Sequence, residues 1–135
     1  MAETSTMTAY AEGENEMSLT VRVREIGNAV ILDLSGRITI GEGATVLRDE
    51  VRGMLDGGHR NILLNLAEVS YIDSSGLGQL VGSFATVAHR GGQLKLLNLG
   101  KKIHELMQIT KLYSVFEAHT SESAALRSFH STEYR

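Results

Sequence analysis

The hydrophobic pattern changes period several times along the chain. Leu19, Val21 and Val23 alternate with Thr20, Arg22 and Arg24, the two-residue period of a half-buried strand. Gly27-Asn28 is a tight-turn pair, and Ala29 to Leu34 reads as a second, more apolar strand. Together they predict an antiparallel hairpin. The period then lengthens. Ala44, Leu47, Val51, Met54 and Leu55 recur at helical spacing, and Gly57-Gly58 supplies the stop. Thr39 and Glu42 stand three apart ahead of this run, the spacing of a capping box. Asn61 to Leu66 is a short apolar strand. After Asp73-Ser74-Ser75-Gly76, the residues Leu77, Leu80, Val81, Phe84, Val87 and Ala88 fall on one stripe of a second helix, which Gly91-Gly92 ends. Gln93 to Leu97 reads as a strand. Ile103, Leu106 and Met107 mark a short helix that starts at Lys101 and Lys102. Tyr113 to Ala118 is a candidate last strand, and Ser121 caps a final helix carrying Leu126 and Phe129.

The order β-β-α-β-α-β-α-β-α places the chain in the α/β class. It predicts a mixed sheet of four to five strands, with an N-terminal antiparallel hairpin, parallel crossovers and about four helices packed on the sheet. Residues 18–129 form one domain on this reading. Residues 1–17 hold few large apolar side chains and read as a disordered acidic tail, because burial cannot offset their ordering entropy. Residues 130–135 should fray. The chain has 135 residues, enough to bury roughly 70% of the surface it exposes when unfolded.

Composition narrows the function. Thirteen basic and sixteen acidic residues give a net charge of −3. Four of those acids (Glu3, Glu12, Glu14, Glu16) lie in the tail, so the remainder is nearly neutral. A binder of nucleic-acid backbone would lean basic, and with no Trp and only seven other aromatic residues there is no stacking platform for single strands. Direct nucleic-acid binding is not expected. The absence of cysteine removes disulfides, thiolate zinc sites and Cys nucleophiles. No apolar run has the length of a membrane span, and no basic stretch leads into an apolar one at the N-terminus. The expectation is a soluble, cytoplasmic protein.

Familiar catalytic spacings fail. Gly100-Lys101 has no Gly five places earlier, so there is no phosphate-cradling loop. A G-x-G-x-x-G starts at Gly41 and Gly43 but meets Val46. The nucleophile elbow fails around both Ser74 and Ser75. His59, His89, His104, His119 and His130 form no metal-ligand pair, and none is placed by local sequence to complete a triad with Asp73. Neither a metal nor a cofactor is expected, and no enzyme activity.

One segment carries information. Ser70-Tyr71-Ile72-Asp73-Ser74-Ser75-Gly76-Leu77-Gly78 joins a buried strand to an amphipathic helix. Such a turn lies beyond the carboxyl end of a central strand, where open α/β sheets place functional surfaces. It reads in two ways. In one, Asp73 or a serine caps the helix, and the glycines permit close packing. In the other, the turn is a modification site. A phosphoryl group on Ser74 or Ser75 would sit at a helix N-terminus, whose dipole tolerates it, and would add roughly −1.5 to −2 charge to its surroundings.

Ile72-Asp73-Ser74-Ser75-Gly76-Leu77-Gly78 resembles the signature of STAS domains, in particular the bacterial anti-sigma factor antagonists. Leu34-Ser35-Gly36-Arg37-Ile38, Asn65-Leu66, Gly91-Gly92 and Leu112-Tyr113 to Phe116 match the family in order, so the resemblance covers roughly 18–129. It implies a partner switch. The unphosphorylated antagonist binds a serine-kinase anti-sigma factor and frees the sigma factor. The kinase phosphorylates the first serine after the Asp, and a metal-dependent serine/threonine phosphatase reverses this. Carried over by position, Ser74 is the phosphoacceptor, with Asp73, Ser75 and Gly76 forming its turn. Arg37, Thr39, Tyr71, Leu77 and Gln79 are the candidate partner contacts. The chain departs from the family where many members have an acid and this one has Thr39, and where many have Gly and this one has Lys111. The alternative role is a non-switching STAS scaffold or an accessory subunit of a signalling or transport complex. Homodimerisation stays open.

Overall fold

The computed structural model describes residues 3–8 and 19–130. Six strands form one sheet in the order of the chain. β1 (Glu3–Thr8), β2 (Leu19–Ile26) and β3 (Ala29–Ile38) pair antiparallel. β4 (Asn61–Ile72), β5 (Gln93–Leu97) and β6 (Ala118–His119) then extend the sheet parallel to β3. Helix α1 (Glu42–Asp56) connects β3 to β4, and α2 (Ser74–His89) connects β4 to β5. α3 (Lys101–Thr110) and a 3-10 turn at Leu112–Ser114 lead to β6, and α4 (Glu122–His130) follows. This is the mixed sheet, hairpin, crossovers and four helices that the pattern predicts.

Three local expectations change. First, the sheet has six strands because residues 3–8, read as tail, pair with β2 from Glu3↔Glu25 to Thr8↔Thr20. Edge pairing needs only main-chain N–H and C=O groups, and Thr4, Thr6 and Thr8 favour strand backbone, so no apolar alternation marks β1. Residues 1–2, 9–18 and 131–135, which hold the rest of the expected tail and most of the expected fraying end, lie outside the described residues. Second, Tyr113 to Ala118 is not a strand. Lys111 adopts a left-handed conformation (φ 64°), the 3-10 turn follows, and only Ala118–His119 pairs with β5. Phe116 instead packs edge-on against Phe84, with ring centroids 5.4 Å apart. Third, Thr39 and Glu42 make no capping box. Gly41 is the N-cap of α1 (φ 89°, ψ −120°), with no side-chain cap, and Thr39 contributes its carbonyl oxygen to the Ala44 N–H at 2.9 Å.

The hairpin turn follows its sequence. Ile26 and Ala29 pair, and Gly27 between them has φ 61°, the left-handed conformation a two-residue loop needs at its first position. β3 and β4 are central and apolar on both faces, as buried strands are. One face carries Leu32, Leu34, Ile62 and Leu64 under Leu47, Val51 and Leu80 of α1 and α2. The other carries Ile31, Leu63 and Leu97 under Ala125 and Phe129 of α4. Ionic contacts flank that second core. Arg24 pairs with Asp33 at 2.7 Å and with Glu122 at 2.9 Å, and the nearly buried Lys95 bonds Ser128 Oγ at 2.8 Å and Glu117 at 3.1 Å.

One feature of the sheet sets the site. β5 pairs with β4 only from Asn61 to Asn65, whereas β3 stays paired with β4 as far as Ile72. The far half of β4 therefore projects past β5 and carries Tyr71, Ile72 and Asp73 to the carboxyl end of the sheet.

Candidate functional site

Asp73 organises this end of the molecule. Its Oδ1 accepts the Gly76 N–H at 2.8 Å, capping α2, and its carbonyl accepts the Leu77 N–H at 2.9 Å. Its Oδ2 accepts the Ile40 N–H at 2.9 Å, from the loop between β3 and α1. Its own N–H donates to the carbonyl of Ile38 at 3.3 Å. One side chain thus joins two loops that lie 33 residues apart. The N–H groups of Ile40 and Gly76 hold the Asp73 carboxyl below the usual carboxylate range, since both favour the charged form.

Gly76 is required by the same junction. A Cβ there would overlap the carbonyl oxygen of Ile38. α2 consequently starts in direct contact with the end of β3. Gly43 does the same for α1 against the carbonyl oxygen of Arg37.

Ser74 is the first residue of α2 and is exposed, while Ser75 is half-buried. The fold therefore presents the Ser74 hydroxyl to solvent on a turn whose backbone is held from both sides. Around it the candidate partner contacts separate. Arg37 and Tyr71 are cross-strand neighbours, and the Arg37 guanidinium lies 4.6 Å from the centre of the Tyr71 ring. Arg37 Nε is buried without a hydrogen-bond partner among the described residues. Stacking on an aromatic face is a favoured state of guanidinium. Thr39 is half-buried beside them. A cavity of about 390 Å³ is lined by Arg37, Thr39, Ile40, Glu42, Tyr71 and Asp73. Gln79 is half-buried, and its Nε2 donates to Ser83 Oγ at 3.2 Å.

Leu77 does not belong with these residues. It is 6% exposed and packs in the main core, so it anchors α2 and offers no surface. Its helical stripe gave that signal, which the signature motif overrode. Sequence reasoning also missed Ile40, which is 74% exposed on the rim of the cavity. The available signal was an isoleucine in a loop, outside either period. Among the described residues no three His, Asp or Glu side chains gather as a metal site would require, and no helix is long and apolar enough to cross a membrane.

Comparison with known proteins fits this geometry. The family model of the STAS domain matches residues 20–125. The chain belongs to the STAS family. This STAS domain is 35% identical over 101 residues to the anti-sigma-B factor antagonist of Bacillus subtilis, covering 75% of the chain and 91% of the relative. It is 23% identical over 110 residues to the anti-sigma F factor antagonist of Paenibacillus polymyxa, covering 82% and 94%. Among solved structures, an anti-sigma factor antagonist from Mycobacterium paratuberculosis superposes with a TM-score of 0.73 at 18% identity, covering 83% of this chain and 94% of that one. The phosphorylated form of the Bacillus cell fate determinant SpoIIAA gives 0.63 at 20% identity, covering 80% and 97%. The structural neighbours share the fold of this STAS domain.

Proposed function

We propose that this STAS domain is a cytoplasmic anti-sigma factor antagonist controlled by phosphorylation of Ser74. Unphosphorylated, it binds a serine-kinase anti-sigma factor and so frees a sigma factor. The kinase transfers the γ-phosphoryl group of ATP to Ser74 Oγ, which loses its proton, and the complex then separates. A metal-dependent serine/threonine phosphatase restores the hydroxyl. The chain is the substrate and binding partner in this cycle and does no chemistry itself.

The observation that carries this reading is the exposure of Ser74 on a turn fixed by Asp73. A kinase reaches the hydroxyl without unfolding anything. The small hydroxyl lets a partner approach closely, and the cavity next to Asp73 offers a rim of mixed charge (Arg37, Glu42) with Tyr71 and the exposed Ile40 as apolar contacts. A phosphate in that contact must be desolvated and stands next to the Asp73 carboxylate, so like-charge repulsion and desolvation both oppose the complex. The names of the relatives support the role, since those proteins are named as antagonists of anti-sigma factors.

The test is to map phosphate on the protein isolated from its own cells in growth and under stress. Phosphate on Ser74 that changes between the two states is expected. The Ser74→Asp variant should bind the kinase at least tenfold more weakly, and Ser74→Ala should bind but resist phosphorylation. A well-covered Ser74 peptide that stays unmodified in every state would overturn the switch and leave a constitutive scaffold or accessory subunit.

A further inference from the structure

A second cavity lies beyond the Ser74 turn. It is a groove of about 570 Å³ between the projecting half of β4 and helix α3. That size lies within the range of small-molecule sites, about 300–1,000 Å³. β5 stops opposite Asn65, so this stretch of β4 has no strand on that side, and α3 forms the other wall of the groove. Its walls are apolar, with Val69 and Ile72 on the strand and Ile103, Leu106 and Ile109 on the helix. Ile109 is 77% exposed, which leaves much of one wall in water. Charge is uneven. Lys101 and Lys102 line the groove at the start of α3, and neither has an ion-pair partner among the described residues. The first turn of α3 also holds no acid, and Gly100 leaves it without a side-chain cap. Glu105 is the only acid among the lining residues.

We infer that this groove binds a small amphipathic anion, a carboxylate on an alkyl chain. The alkyl chain lies along Val69, Leu106 and Ile109, and the carboxylate is held by Lys101 and Lys102. The apolar walls alone would accept any greasy group. The two uncompensated lysines at one end select a headgroup of opposite sign and fix the direction in which the ligand lies. Ser74 does not line this groove, although Tyr71 lines both it and the cavity beside Asp73.

Dodecanoate, below its micelle-forming concentration, is the probe. Calorimetric titration of the full chain should show saturable 1:1 binding, with amide shift changes confined to residues 69–72 and 100–109. Ile109→Asp should weaken binding at least tenfold, and because Ile109 is exposed the variant should keep the wild-type melting curve. Lys101→Glu with Lys102→Glu should weaken it at least fivefold, and neutral dodecanol should bind at least fivefold more weakly than dodecanoate. Ser74→Ala should bind as wild type does. No saturable uptake, or uptake indifferent to all of these changes, overturns the site. So does an Ile109→Asp variant that alters a monomer–dimer equilibrium while dodecanoate shows no binding, because the groove would then be a self-association surface.

Discussion

Asp73 shows how much one side chain determines at the residue scale. Its folded-state pKa is depressed, chiefly by the Ile40 N–H and next by that of Gly76. Such a group stabilises the fold above its unfolded pKa, about 3.9, and loses that contribution as pH falls through its folded value. Asp73→Asn should therefore melt at a lower temperature than wild type at pH 7. The gap should narrow below about pH 4 and close once the pH is beneath the folded pKa, where wild type also carries a neutral side chain. Amide exchange at Ile40 and Gly76 should quicken in the variant. A gap that stays constant with pH would show that the charge of Asp73 does not contribute. The two glycines of the signature separate in the same way. Gly76→Ala forces a Cβ onto the Ile38 carbonyl and should cost about 3 kcal/mol, by denaturant unfolding. Gly78 is exposed inside α2 with open space at its Cβ position, so Gly78→Ala should gain up to about 1 kcal/mol.

At the scale of elements, legibility followed the source of each element's stability. Helices α1 and α2 bury a periodic face and the inner strands β3 and β5 are near-continuous apolar runs, and both signals stood in the sequence. The far half of β4 did not, because it lacks β5 on one side and is largely solvent-facing there, so the strand expected over Asn61 to Leu66 in fact runs on to Ile72. β1 is held by pairing to β2 and leaves no apolar trace. The Asp73 turn was legible as a helix cap, but its bond to Ile40 was not, since a contact across 33 residues has no local signature. The ionic flank of α4 was equally invisible, and it makes an asymmetric prediction. Lys95 is 5% exposed, whereas its partner Glu117 is half exposed. Burial raises the Glu117 pKa, but bonds from His119 and Lys95 outweigh this and lower it. Lys95→Met leaves a carboxylate that water can solvate, and should change stability by less than about 1 kcal/mol. Glu117→Ala leaves an ammonium group largely out of water, and should cost about 1–2 kcal/mol. Equal losses in chemical denaturation would argue against this ordering.

For the whole molecule, the question is whether phosphorylation would act through a change of fold or through surface charge alone. The architecture favours charge alone. Ser74 is exposed, whereas its neighbours Ile72, Gly76 and Leu77 are all buried. Two electrostatic effects then oppose each other. A dianion at the first position of α2 gains from the helix dipole, a term of about 0.3–1 kcal/mol for a single exposed charge. The ionised Asp73 beside it is repelled by a similar screened interaction. The folded state should thus change in stability by no more than about 1 kcal/mol, and the balance should be sensitive to salt. Phosphorylated and unphosphorylated protein should have melting temperatures within a few degrees at 0.15 M salt. Their amide spectra should differ at residues 38–43 and 71–79, next to the turn, and coincide across α4 and the β2–β3 hairpin from residue 19 to 34. Loss of partner binding with this pattern is direct interference at the surface. Shift changes spreading to α4 would instead require a rearranged core, and the tight contacts of Gly76 and Gly43 with β3 would be the first to give.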